Sequence, residues 1–171
     1  MKRIIELSGG RHLWDASIEE ELQGFAAEGL KWDDRGMVLT GDYFSLEEGV
    51  NYSSEDLMDI ELNVNDFKVE DEGIKKTRED YLVEMLSRAL TFSARVLEHS
   101  RALDKSDLIQ ALIAVGVDDD YRIHGTTVKF FLYRDGFPSD FKDLEKFSIE
   151  AVALISILDL PGYSVGSDYV L

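Results

Sequence analysis

The segment after Thr77 carries the most regular pattern of apolar positions in the chain. Its apolar and small residues recur every three or four positions, and neither Gly nor Pro interrupts them. They form one continuous stripe: Leu82, Met85, Leu86, Ala89, Ser93, Val96 and Leu97. We therefore predict a helix from Thr77 to about Arg101, which forms the central element of the core.

Two further segments have helical spacing. Ser17 and Glu20 fit a capping box, the apolar residues of 18–26 follow, and Gly29 supplies a stop. After Pro138, apolar residues from 141 to 158 also fit a helix, although a break near Ser148 into a final strand is an alternative.

Other segments favour strands. Residues 3–7 predict a short first strand, and residues 37–46 a second with a bend at 41–42. Met58, Ile60, Leu62 and Val64 alternate with polar residues, which is typical of a half-buried strand. The apolar positions change from even-numbered to odd-numbered at residues 67 and 69, so we expect a bulge near 65–66 or the end of the strand there.

The segment 108–117 has two interpretations. Ser106 and Gly116 could bound a helix, but the run is apolar on both faces, and residues 128–133 follow after an Asp-rich turn. We favour an antiparallel strand pair. Together these elements predict one α+β domain over residues 1–171, with an antiparallel or mixed sheet against a long central helix and one or two further helices.

Composition narrows the class of protein. The 171 residues are 44% hydrophobic and include no Cys, which argues against disorder and excludes disulfides, thiolate catalysis and Cys-based zinc sites. The longest apolar run, residues 151–158, is too short to span a membrane, and Glu6 interrupts any N-terminal signal segment. We expect a cytoplasmic protein without membrane contact.

The charge is large and unevenly distributed. There are 35 Asp and Glu against 18 Lys and Arg, for a formal net charge of −17. Residues 42–72 alone contain eleven acids and one base, Lys68. Direct binding of nucleic acid or of an anionic membrane would need basic residues in excess, so the charge argues against both functions.

No motif indicates catalysis or a bound metal. His12, His99 and His124 are too far apart in sequence for a paired-histidine metal motif. An EF-hand requires acids at alternate positions, whereas Asp118, Asp119 and Asp120 are consecutive. No nucleophile-elbow motif is present. We predict a protein that is not an enzyme and has no cofactor, metal or catalytic residue.

The acidic run has two interpretations, a solubilising surface or a field that attracts a basic protein partner. Aromatic residues beside the acids favour the second, because binding surfaces combine charge with aromatic anchors. The candidate partner-binding residues are Tyr43, Glu47, Glu48, Tyr52, Glu55, Asp56, Asp59, Glu61, Glu70, Asp71, Glu72, Asp118, Asp119 and Asp120. On the predicted strand, Asp59 and Glu61 face solvent.

In size, charge, mixed α/β pattern and lack of active-site motifs, the chain resembles bacterial immunity proteins of toxin–immunity pairs, including those of contact-dependent growth inhibition. The resemblance implies a cytoplasmic toxin inhibitor that binds a cognate toxin, often a nuclease, and blocks its active site or substrate groove. One alternative is a chaperone or adaptor for a secreted or regulatory protein, which predicts an exposed apolar groove and dimerisation. Another is a carboxylate-dependent hydrolase, which predicts a deep pocket of pKa-shifted acids.

Overall fold

The computed structural model describes residues 1–9, 11–40, 51–74, 77–134 and 143–162. The helices are α1 (Lys2–Leu7), α2 (Glu20–Glu28), α3 (Ser54–Val64), α4 (Arg78–His99) and α5 (Tyr121–His124). The strands are β1 (Leu30–Trp32), β2 (Val38–Thr40), β3 (Asp66–Val69), β4 (Ile109–Gly116), β5 (Thr126–Leu132) and β6 (Glu150–Ser156). Short 3-10 turns cover Ser100–Ala102, Ser106–Leu108, Leu144–Lys146 and Ile157–Asp159.

Within these ranges the strands form two antiparallel sheets. One is the β1–β2 pair, and the other has four strands in the order β3–β5–β4–β6. The registers of the larger sheet place Phe67 opposite Val128, Ile113 opposite Val128 and Ala111 opposite Ile155. The fold is therefore α+β with an antiparallel sheet, as the sequence predicts.

Helix α4 covers one face of the four-stranded sheet, and α1 and α2 pack against α4. All seven residues of the predicted stripe are buried, so the prediction for this helix is confirmed. Odd-numbered residues of β4, such as Ile113, and even-numbered residues of β5, such as Phe130, meet α4 in the same core. Phe67, Phe92 and Phe130 make edge-to-face ring contacts there.

A smaller apolar cluster lies on the opposite face of the sheet. Met58 of α3 packs there with Leu112 of β4, Phe131 of β5 and Val152 of β6. Because both faces are buried, β4, β5 and β6 have nearly continuous apolar sequences.

The predicted strand at residues 58–64 is wrong, because this segment is helix α3. Ser53 and Asp56 form its capping box. The face that α3 buries includes Met58, Glu61 and, at the end of the helix, Asn65. Because Glu61 and Asn65 are polar, the apolar residues of this segment do not recur at helical spacing. Residues 67 and 69 then belong to a separate strand, β3, rather than to a bulge.

The predicted first strand at residues 3–7 is also wrong, because this segment is helix α1. Only Ile4 is buried, whereas Ile5 and Leu7 remain exposed, so one position per turn meets the core. This burial fits a short surface helix and not an alternating strand.

Four other predictions are confirmed, corrected or refined. Of the helix expected over 141–158, residues 141–142 lie outside the described part of the chain, Leu144–Lys146 form a 3-10 turn and Glu150–Ser156 form β6. The alternative of a final strand after a break near Ser148 is therefore confirmed. Helix α2 begins at Glu20 rather than Ser17, and its N-cap, Glu19, makes no side-chain capping bond. It ends as predicted at Gly29, whose φ of 66° suits glycine. The favoured strand pair is confirmed by β4 and β5, and β2 confirms part of the strand at 37–46, whose remainder lies in 41–50, outside the described residues.

Among the helices of the described ranges, none combines the length and the apolar character needed to cross a membrane.

Candidate functional site: an acidic binding surface

The structure distributes the predicted acidic surface over separate parts of the molecule. Tyr43, Glu47 and Glu48 lie in residues 41–50, outside the described part of the chain. Tyr52 is half-buried just before α3. The remaining candidates fall into two groups, one on α3 and one beside α5.

The first group occupies the exposed face of α3. Glu55, Asp56 and Asp59 all have exposed side chains. The Asp56 carboxylate accepts hydrogen bonds from the Ser53 hydroxyl (2.7 Å) and the Ser53 backbone N–H (2.8 Å), and these bonds lower the pKa of Asp56. Glu55 and Asp56 also lie near the positive end of the helix dipole. The positions of both are therefore accounted for by local helix stability, whereas Asp59 has no such structural role.

Glu61 is not part of this exposed face, and the expectation that it faces solvent is wrong. Its carboxylate is fully buried and paired with the Arg134 guanidinium, at N–O distances of 2.6 Å and 2.8 Å. It also accepts the backbone N–H groups of Val38 (2.7 Å) and Leu132 (2.9 Å). Glu61 therefore joins α3, β2 and β5 from within and cannot contact a partner.

The second group surrounds the start of α5. Asp71 accepts hydrogen bonds from the Tyr81 hydroxyl and the Arg122 guanidinium, both at 3.2 Å. Burial and the charge of Asp71 together raise the pKa of Tyr81 to about 12. Asp118 contacts the His124 ring at 3.2 Å, and the Arg78 guanidinium donates to the carbonyls of residues 117 and 118.

Three acids of this second group make no ion pair with any described residue. Asp71 and Asp118 are held by the contacts above, and Glu70 is paired with Lys68 at 3.2 Å. Glu72, Asp119 and Asp120 are exposed, and none of them makes an ion pair within the described ranges. Their charges face solvent and are available to a partner.

The two groups lie at opposite ends of β5. Glu61 of α3 contacts Leu132 at the last residue of the strand, whereas Asp71 contacts Arg122, which precedes its first residue. Seven residues of strand span about 20 Å. Among the described residues, the candidate acids therefore lie on two separate surfaces and do not form the single field that the sequence predicts.

Between these ends lies a groove of about 630 Å³ beside β3, which is an edge strand of the sheet. Its floor is apolar, formed by Leu22 and Phe25 of α2, Val64 of α3 and Phe67 of β3. Leu22 and Phe67 are almost fully buried, and the rings of Phe25 and Phe67 are in edge contact at 4.9 Å. The floor is thus continuous with the main core.

The rim of the groove is acidic. Its carboxylates belong to Glu19, Glu21, Asp66 and Glu70, and Lys68 is the one cation among the described lining residues. Asp66 is paired with Lys129 at 2.7 Å, and Glu19 with Arg88 at 3.1 Å.

Glu21 is exposed and has no ion pair in the part of the chain that the structure describes. Sequence reasoning included Glu70 but missed Glu19, Glu21 and Asp66. The run of three Glu residues at 19–21, where α2 begins, was the available signal.

An apolar floor within an acidic rim suits the binding of a protein segment that carries both apolar and basic side chains. No group of three His, Asp or Glu side chains within the described ranges is close enough to hold a metal ion.

Comparison with protein-family models, with curated proteins and with solved structures gives no match for this chain.

Proposed function

We propose that this protein binds a basic protein partner and neutralises it, as an immunity protein that blocks a cognate nuclease-type toxin, including toxins of contact-dependent growth inhibition. The observation that carries the proposal is the groove beside β3, whose apolar floor is surrounded by four carboxylates. Nuclease grooves are lined by Lys and Arg that contact phosphates, and carboxylates could occupy the same positions.

The overall charge supports the same conclusion. A net charge of −17 attracts a basic partner over long distances and accelerates association. Desolvated contacts with Phe25 and Val64, the half-buried residues of the floor, would then slow dissociation, because buried central contacts dominate binding energy. We expect the partner to be cytoplasmic at the moment of inhibition.

The test uses the toxin domain encoded by the neighbouring reading frame, expressed alone and together with this protein. We expect the domain to arrest growth and the protein to restore it. Glu21→Lys/Glu70→Lys reverses two exposed charges on the rim and should weaken binding and protection. Asp104→Lys/Asp107→Lys makes the same charge change on an exposed loop outside the groove and serves as the matched control.

Binding kinetics separate the two parts of the proposal. We expect association to slow steeply as salt shortens the Debye length from about 30 Å at 0.01 M to about 8 Å at 0.15 M. The rim variant should bind at least tenfold more weakly than the loop control, which corresponds to a loss of about 1.4 kcal/mol in binding free energy. Equal affinities of the two variants would refute the groove as the binding site. No binding of the neighbouring product by any variant, with no protection, would refute the function.

A further inference from the structure

A second cleft, of about 790 Å³, has the opposite electrostatic character. It lies between residues 12–14, the C-terminal half of α4 and residues 160–162. We propose that this cleft binds a small organic anion that carries a flat ring, of the nucleoside monophosphate class. This site is independent of the proposed partner-binding groove and shares no residue with it.

Basic side chains dominate the polar lining of the cleft. They belong to His12, Arg95, His99 and Arg101, whereas Glu98 is the one acid among the described lining residues. The Glu98 carboxylate is itself paired with the Arg101 guanidinium at 3.2 Å. Arg95 is exposed and makes no ion pair with any acid in the described ranges. In a chain with about twice as many acids as bases, a cleft lined by two arginines and two histidines against one acid is an excess of basic side chains that needs a separate explanation.

The dipole of α4 explains only part of this excess. His99 is the last residue of α4 and Arg101 follows it, where cations stabilise a helix C-terminus. Arg95 lies a full turn earlier, and His12 belongs to a different segment of the chain. The convergence of two separate segments on one cleft points to a ligand and not only to the helix end.

The wall that carries His12 is fixed against α4. The Ser87 hydroxyl donates to the Leu13 carbonyl at 2.9 Å, and the Ala16 backbone N–H donates to the Thr91 hydroxyl at 2.9 Å. Thr91 also lines the cleft. These two bonds hold residues 12–16 in place, so the site is formed before a ligand enters, which lowers the entropy cost of binding.

The remaining lining suits a ligand that combines a flat ring with a phosphate. The half-buried indole of Trp14 offers a surface on which a flat ring can stack. A guanidinium such as that of Arg95 matches the geometry of a phosphate better than an ammonium does. The volume lies within the range of about 300–1,000 Å³ that is typical of ligand pockets.

Calorimetric titration with adenosine monophosphate, adenosine and inorganic phosphate tests the proposal. We expect adenosine monophosphate to bind in the millimolar range or tighter, and each of the two fragments to bind at least tenfold more weakly. Arg95→Glu should weaken nucleotide binding at least tenfold, because it removes a charge-assisted contact and adds repulsion. The matched control is Lys31→Glu, the same charge change at an exposed position of β1.

A second measurement reports directly on the cleft. In a Trp32→Phe background, Trp14 is the remaining tryptophan. Its fluorescence should change as nucleotide is added, and the affinity obtained from that change should equal the affinity from calorimetry. The proposal is overturned by a lack of nucleotide binding, by equal binding to Arg95→Glu and Lys31→Glu, or by phosphate binding as well as the nucleotide. Arg95→Gln, which only removes the charge, should give an intermediate loss, and full affinity in that variant would also contradict the site.

Discussion

Replacing Glu61 by Gln tests the buried ion pair that joins α3, β2 and β5. The native carboxylate accepts four hydrogen bonds, two from backbone N–H groups and two from Arg134. In Glu61→Gln, one oxygen becomes an NH₂ group that faces donors, and the Arg134 side chain, 11% exposed, loses its counter-ion. Breaking a buried pair in this way costs about 3–5 kcal/mol.

That loss is a large share of the roughly 5–15 kcal/mol by which domains are stable. For a chain of this size it corresponds to a decrease in Tm of about 6–20 °C, at roughly 2–4 °C per kcal/mol. We would measure urea unfolding at pH 7 by circular dichroism. Asp59→Asn is the matched control, because it neutralises an exposed acid on the same helix and should change stability by less than about 0.5 kcal/mol.

A double-mutant cycle with Arg134→Met isolates the pair itself. The two single substitutions each leave one buried charge without its partner, so the double variant should lose less stability than the sum of the single losses. A loss below about 1 kcal/mol for Glu61→Gln, or strict additivity in the cycle, would refute the role assigned to Glu61.

Two further predictions concern Tyr81 and the glycines. Burial and Asp71 raise the pKa of Tyr81 from 10.0 to about 12, so this tyrosine ionises at a lower pH in the unfolded chain than in the folded protein. The free energy of unfolding should therefore fall as the pH rises between these values. Tyr81→Phe should reduce that fall in urea unfolding, and identical pH slopes for the two proteins would contradict the assignment. A Cβ on Gly116 would lie 2.8 Å from both the Tyr121 carbonyl oxygen and the His124 Cβ, so Gly116→Ala should lower stability by about 1–3 kcal/mol. Gly24→Ala, in an open position on α2, should instead raise it by about 0.5–1 kcal/mol, and changes of the same sign in both would be inconsistent with this packing.

The sequence predicts those elements whose buried positions are apolar. Helix α4 is the clearest case, since each residue of its stripe from Leu82 to Leu97 is buried and hydrophobic or small. Its period of 3.6 is therefore visible without knowledge of the neighbouring elements. The β4–β5 pair was also predicted, because an apolar run bounded by turn residues fits a strand buried on both faces.

Helix α3 could not be predicted in this way, because Glu61 and Asn65 lie on its buried face. Their burial depends on backbone groups of β2 and β5, which are distant in sequence. The groove beside β3 was missed for a related reason. Its acids come from the N-cap and first turn of α2, from β3 and from the residue after β3, and only the tertiary structure brings Glu21 and Asp66 to one rim.

The contacts of Glu61 and Asn65 with β2 have a consequence for self-association. The N–H groups of Val38 and Thr40 donate to the two side chains, and the Asn65 amide donates to the Val38 carbonyl. Val38 and Thr40 are alternate residues of β2, and these backbone groups lie on the edge of β2 that does not face β1. The side chains of Glu61 and Asn65 therefore take the place of a neighbouring strand. An open edge is a template for strands from other copies, and here the template is occupied from inside the fold. The polar residues that obscured α3 in the sequence thereby protect β2 from cross-β growth.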